Sequence, residues 1–225
     1  MLRRDLLKSG TLFLAPTLRL AAPRRVVLVD LVGGASHIDT FDPKPNGPFG
    51  AIPTNAPGVE LSGLLPRMAG VADRFTIIRS VYDTQPASHQ RNPVADALRP
   101  IANIHRVEGW DTHGWGRFPA LDVTRDSASR LDQLFPSLLD DDTFLVVASE
   151  FGRTPRLNPQ GGRDHWNRCW SVVVSGPGVR PGRIIGATDA TGSEPCDSPI
   201  HVEALAVKLL KMARAALNHS GGESL

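Results

Sequence analysis

The chain has 225 residues, 41% of them hydrophobic and 21% charged, the make-up of one soluble domain with a buried core; a disordered tail or a membrane bundle is excluded as its main character. Net charge is +2, with Lys and Arg spread along the chain, and only 6% of residues are aromatic. Neither a basic run nor an interleaved aromatic and basic stretch is present, so no nucleic-acid partner is expected.

The chain opens Met-Leu-Arg3-Arg4-Asp5-Leu6-Leu7-Lys8, and an apolar, small-residue stretch follows from Ser9 to Ala22. A basic start, an apolar middle and Ala21-Ala22 describe an export signal over residues 1–23, and the arginine pair is of the twin-arginine kind. A periplasmic or extracellular location is therefore expected. Pro16 and Arg19 interrupt the apolar stretch, which is too short for a stable membrane span. Residues 24–218 read as a single domain and 219–225 as a flexible tail.

Val26–Val32 is a near-continuous apolar run ended by Gly33-Gly34 and reads as a buried parallel strand. The turn after it lies at the carboxyl edge of a sheet, where open α/β sheets bind ligands. Residues 40–66, rich in Pro and Gly, read as a long loop. Further strands are expected at Phe75–Ser80, Thr143–Ser149, Trp170–Ser175 and Arg183–Gly186, and helices at 118–139 and 200–217. Alternating strands and helices imply an α/β fold with a doubly wound, mostly parallel sheet. Cys169 and Cys196 form no CxxC pair and read as buried free thiols, although an oxidising compartment would permit a disulfide between them.

Four segments concentrate metal-capable residues at strand ends or in loops: Gly33–Pro45, Trp110–Gly114, Ser149–Pro155 and Gly161–Trp166. In an extended segment residues two apart share a side, so Asp111 and His113 can converge on one cation. Glu150 is a carboxylate delivered to the sheet edge, and Asp164 and His165 lie in a loop that can fold over it. Carboxylates gathered this closely repel unless protonated or bound to a cation. Asp39 is a further candidate ligand, whereas Asp42-Pro43 has a ready turn explanation. Mixed Asp/Glu/His ligation suits a divalent ion such as zinc, manganese, iron or magnesium, with calcium also open, better than a thiolate-loving metal. Arg153, Arg156 and Arg163 sit among these acids. Their guanidinium forks suit sulfate, phosphate or carboxylate, or else balance the carboxylates. Ser36, after the glycine pair, is placed for a hydroxyl nucleophile or simply permits the turn. His89 stands alone, with no local pattern to mark it.

The segments 33–45, Trp-Asp-Thr-His (110–113), Glu-Phe-Gly-Arg-Thr-Pro (150–155), Gly-Arg-Asp-His-Trp (162–166) and Gly186-Ala187-Thr188-Asp189 together resemble the sulfatase-like family called domain of unknown function 1501. The resemblance runs from about residue 25 to 210. It implies an alkaline-phosphatase-like fold, one or two divalent metals, and often a hydroxyl nucleophile. By the same resemblance Asp111 and His113 look like one ligand pair and Asp164 and His165 like the late ligand segment. Glu150 falls where relatives often have Asp followed by His, and Phe151 here replaces the second ligand. Asp30, Ser36 and Asp39 compete for the ligand role at the end of the first strand. Family members usually carry a much longer segment than residues 90–109, so the domain is expected to be shortened there, with an incomplete sheet. The implied activity is an exported metal-dependent hydrolase of anionic phosphate or sulfate esters, small-molecule or polysaccharide. The alternative is a non-catalytic or truncated member with a binding or structural role.

Overall fold

Strand β1 (Arg25–Leu31) is buried from its second residue onward, as its unbroken apolar sequence requires. The computed structural model describes residues 25–45, 47–114 and 119–218; the segment read as an export signal and the expected tail lie outside them. After β1 come β2 (Ala51–Pro53), β3 (Glu60–Ser62), the one-turn helix α1 (Pro66–Ala69), β4 (Phe75–Tyr82), α2 (Pro93–Leu98) and β5 (Asn103–Val107). Then follow α3 (Ala120–Leu138), β6 (Thr143–Ser149), β7 (Gly152–Arg153), β8 (His165–Trp166), β9 (Trp170–Ser175), β10 (Arg183–Ile185), β11 (Ala187–Thr188), β12 (Pro195–Asp197), β13 (Ile200–His201) and α4 (Val202–Asn218).

The central sheet has seven strands in the order β10-β4-β9-β6-β1-β5, with β13 also on β4. It is mostly parallel: β1 runs parallel to β5 and β6, and β10 and β13 run parallel to β4. Strand β9 is antiparallel to both β4 and β6. The path from β6 to β9 is spent on loops and the small β7–β8 ribbon and holds no helix, so it lacks the helical crossover by which a parallel neighbour is usually reached.

Side chains of β1 alternate between two cores. Val27, Val29 and Leu31 meet Leu131 and Phe135 of α3, while Val26 and Leu28 meet Val94 and Leu98 of α2 and Leu205 and Leu209 of α4. Helices therefore cover both faces, which is why the central strands are apolar throughout rather than alternating.

Two expectations are corrected, those for residues 40–66 and for Cys196. The segment 40–66 is not all loop, because β2 and β3 pair as an antiparallel hairpin within it; three-residue strands between Pro and Gly are too short to show a period of two. Residues 90–109 hold α2 and β5. Asn92 caps α2 by accepting the Ala95 amide at 3.1 Å, with Pro93 in the first turn, and β5 is a half-exposed edge strand that lacks an apolar run. Cys169 is buried but Cys196 is exposed, and both are free. No helix among the described residues is long and apolar enough to cross a membrane.

Candidate metal centre

The carboxyl ends of β1, β5 and β6 build one side of the site. The Trp110 amide donates to the Val32 carbonyl at 3.2 Å, which docks the segment after β5 against the turn after β1. Gly33, at φ 111°, makes that approach possible: a Cβ there would lie 2.6 Å from the Asp111 amide nitrogen. The β7–β8 ribbon closes the other side, pairing Arg153 with His165. The loop after β4 brings His89 across.

His89, Asp111 and His165 each offer one ligand atom, and these atoms lie within 4.8 Å of one another. Glu150 Oε1 sits 2.8 Å from His89 Nδ1 and accepts the Gly33 amide at 2.7 Å, which leaves Nε2 of His89 as the outward nitrogen. His165 Nε2 is buried and has no hydrogen-bond partner among the described residues. A buried orphan nitrogen is rare and calls for an explanation; beside a second imidazole and a carboxylate, a metal ion supplies one. Burial, reinforced by Arg153, His89 and His113, pushes the His165 imidazole down to about 4 against the pull of a backbone hydrogen bond with Ala87. It is therefore neutral at pH 7, the form that ligates a metal.

Around this triad a second layer orients the ligands, as metal sites generally require. His113 lies 3.4 Å from Asp111 Oδ1 through Nε2 and 3.2 Å from Asp164 Oδ1 through Nδ1. Asn158, donating to Asp164, holds that carboxyl below its ordinary value, and His113 adds to the effect. Arg153 Nη2 donates to Asp111 at 3.0 Å. The Phe151 ring packs 4.2 Å from the His165 ring and 5.1 Å from that of His89, forming a dry wall. His89 and Asp111 remain 44% and 56% exposed, so solvent and a ligand reach the cluster.

The structure thus brings together Asp111, His113, Glu150, Arg153, Asp164 and His165, and adds His89. It places Asp39 elsewhere: both its carboxylate oxygens accept from buried Arg163, at 2.7 and 3.0 Å. Arg163 spends its remaining bonds on the Thr154 and Pro155 carbonyls. Arg153 likewise donates to the Gly33, Gly34 and Arg163 carbonyls as well as to Asp111. Both guanidinium groups hold loops together through these bonds. Ser36 is buried, and its hydroxyl accepts the Asp39 amide at 3.3 Å, which is turn chemistry. Asp42 is held by Lys44, Arg79 and Thr188. Asp30 accepts from Asn92 at 3.0 Å, and burial with Glu150 nearby raises its pKa. It lines a polar cavity of about 300 Å³ that also includes His89 and Glu150.

From sequence His89 is only an isolated, weak ligand candidate outside the expected metal set. Its partners are reached only through the tertiary path of the loop after β4, and nothing in Ala87-Ser88-His89-Gln90 signals them. Among known families, residues 23–97 and 94–219 match the one described as Protein of unknown function (DUF1501). No curated protein and no solved structure matches the chain.

Proposed function

Because the chain belongs to the DUF1501 family, whose activity the match leaves open, we propose from its site that it is a metal-dependent hydrolase of anionic esters, phosphate or sulfate. The observation that carries this reading is the buried, unpartnered Nε2 of His165 beside His89 and Asp111. Two imidazoles and a carboxylate suit zinc or manganese better than calcium or magnesium. When bound, such a metal lowers the pKa of a water molecule and offsets charge on the departing oxygen.

The chain's own residues do the rest. Glu150 fixes the tautomer and direction of His89 through Nδ1, which leaves Nε2 for the metal. Asp164 holds His113, and His113 with Arg153 fixes the Asp111 carboxylate. Phe151 keeps water off one side of both imidazoles, while the exposed side of His89 and Asp111 admits the ester. Ser36 is buried in a turn, so water is the nucleophile in this reading. The finer parts of the proposal are an alkaline-phosphatase-like sheet shortened between residues 90 and 109, and export directed by Arg3-Arg4 and the apolar stretch after it.

The test is hydrolysis of aryl phosphate and aryl sulfate esters by the purified protein after loading with zinc or manganese. Turnover that disappears with chelator and with Asp111→Ala supports the proposal; turnover indifferent to both sinks it. A second reading, a non-catalytic member that keeps one metal and binds a partner, draws on the internal use of Arg153 and Arg163, which leaves neither guanidinium for an ester's anion. Metal binding without turnover on any ester would favour it.

A further inference from the structure

A second cavity, of about 610 Å³, lies at the other end of the sheet and shares no residue with the metal centre. Strands β10 and β13 pair with different parts of β4, at Thr76–Ile78 and Val81–Tyr82, and α4 crosses the same face. The gap between them is floored by Ile78, Val174, Val179, Ile185, Leu209 and Met212. Of these, Val179, Ile185 and Met212 are only partly buried, so the floor is open to a ligand. Its volume is in the range of roughly 300–1,000 Å³ found for small-molecule sites.

The rim has one sign of charge. Arg180, Arg183 and Lys208 line the cavity, and no acidic residue does. All three are exposed, and none is in an ion pair among the described residues. On the same rim sits Ser198, at φ 45° the one non-glycine residue with left-handed backbone among those described. The Ser80 hydroxyl holds its carbonyl at 2.6 Å. An apolar floor under three unneutralised cations selects a ligand with an aliphatic body and an anionic head. A second copy of the chain offering this same face would set cation against cation.

We propose that this groove binds a free long-chain carboxylate, its chain on the Val179–Met212 floor and its head between Arg180, Arg183 and Lys208. The test is calorimetric titration of the full chain with dodecanoate below its micelle concentration, with dodecyltrimethylammonium as the opposite-charge probe. One dodecanoate per chain is expected, with no binding of the cation. Affinity should fall about tenfold or more when the rim is reversed by R180E and R183E together. Val179→Trp, which fills the groove, should abolish binding while the melting temperature stays put. No dodecanoate binding, equal binding of both heads, or indifference to R180E/R183E would overturn the proposal. So would concentration-dependent dimerisation lost with Val179→Trp, which would assign the groove to a second copy.

Discussion

The Asp39–Arg163 pair separates a structural role for Asp39 from a metal-binding one. Both side chains are almost wholly buried, at 1% and 4% exposure, and the carboxylate takes two parallel hydrogen bonds from the guanidinium. Changing Asp39 to Asn keeps the shape but leaves the Arg163 charge without its partner. Breaking a buried pair in this way costs about 3–5 kcal/mol. Arg163 retains the Thr154 and Pro155 carbonyls, which places the cost near the lower end, about 3 kcal/mol. For a domain of this size that is a fall in melting temperature of roughly 6–12 °C. Replacing both partners, Asp39→Asn with Arg163→Met, should recover part of the loss, since an apolar group in place of a buried ion is often neutral or better. Thermal and urea unfolding measure the cycle, and metal content is read on the same samples. An Asp39→Asn protein that keeps its melting temperature but loses its metal would refute the reasoning and return Asp39 to the ligand set.

Glu150→Gln should leave the fold intact and weaken metal binding about 10- to 100-fold, because it removes the carboxylate that orients His89; competition with a chromophoric chelator reads this directly. Gly34→Ala should lower the melting temperature, since a Cβ at φ 81° would enter the Phe151 ring, and Phe151→Leu in the same chain should restore part of it. His37 is buried, and burial lowers its pKa below 6.5 despite Asp42 and Asp39 nearby, with Arg163 acting in the same direction as burial. The unfolded state then binds the extra proton first, so stability is lost as pH falls below about 6.5 toward the lower folded value. Urea midpoints between pH 7.5 and 5 should fall less steeply in His37→Asn, and equal slopes would contradict the assignment.

The parts of the fold legible in the sequence are those buried on two faces. Val26–Leu31, Thr143–Ser149 and Trp170–Ser175 are continuous apolar runs because helices cover both sides of the sheet, and α3 and α4 carry long apolar stripes. The hairpin of β2 and β3, helix α2 and the edge strand β5 are too short or too polar to leave a periodic trace. The orientation of β9 depends on how the chain crosses from β6, which no local pattern encodes. In the site, Asp111, His113, Glu150, Asp164 and His165 stand out because carboxylates and imidazoles follow strand ends in short motifs. His89 does not, since its meeting with Glu150 and His165 is purely tertiary. For Arg153 and Arg163 the sequence leaves open whether they face an anion or balance carboxylates, because burial is invisible there; in the fold their donors are taken up by carbonyls and by Asp111 and Asp39.

The central claim is that His89, Asp111 and His165 hold a metal ion, and elemental analysis of purified protein, wild type against His165→Ala, tests it most directly. The account predicts about one zinc or manganese per chain in the wild type after loading, lost in the variant while its folded circular dichroism spectrum is kept. Equal metal in both proteins, or none in either after soaking with zinc and manganese, would contradict it.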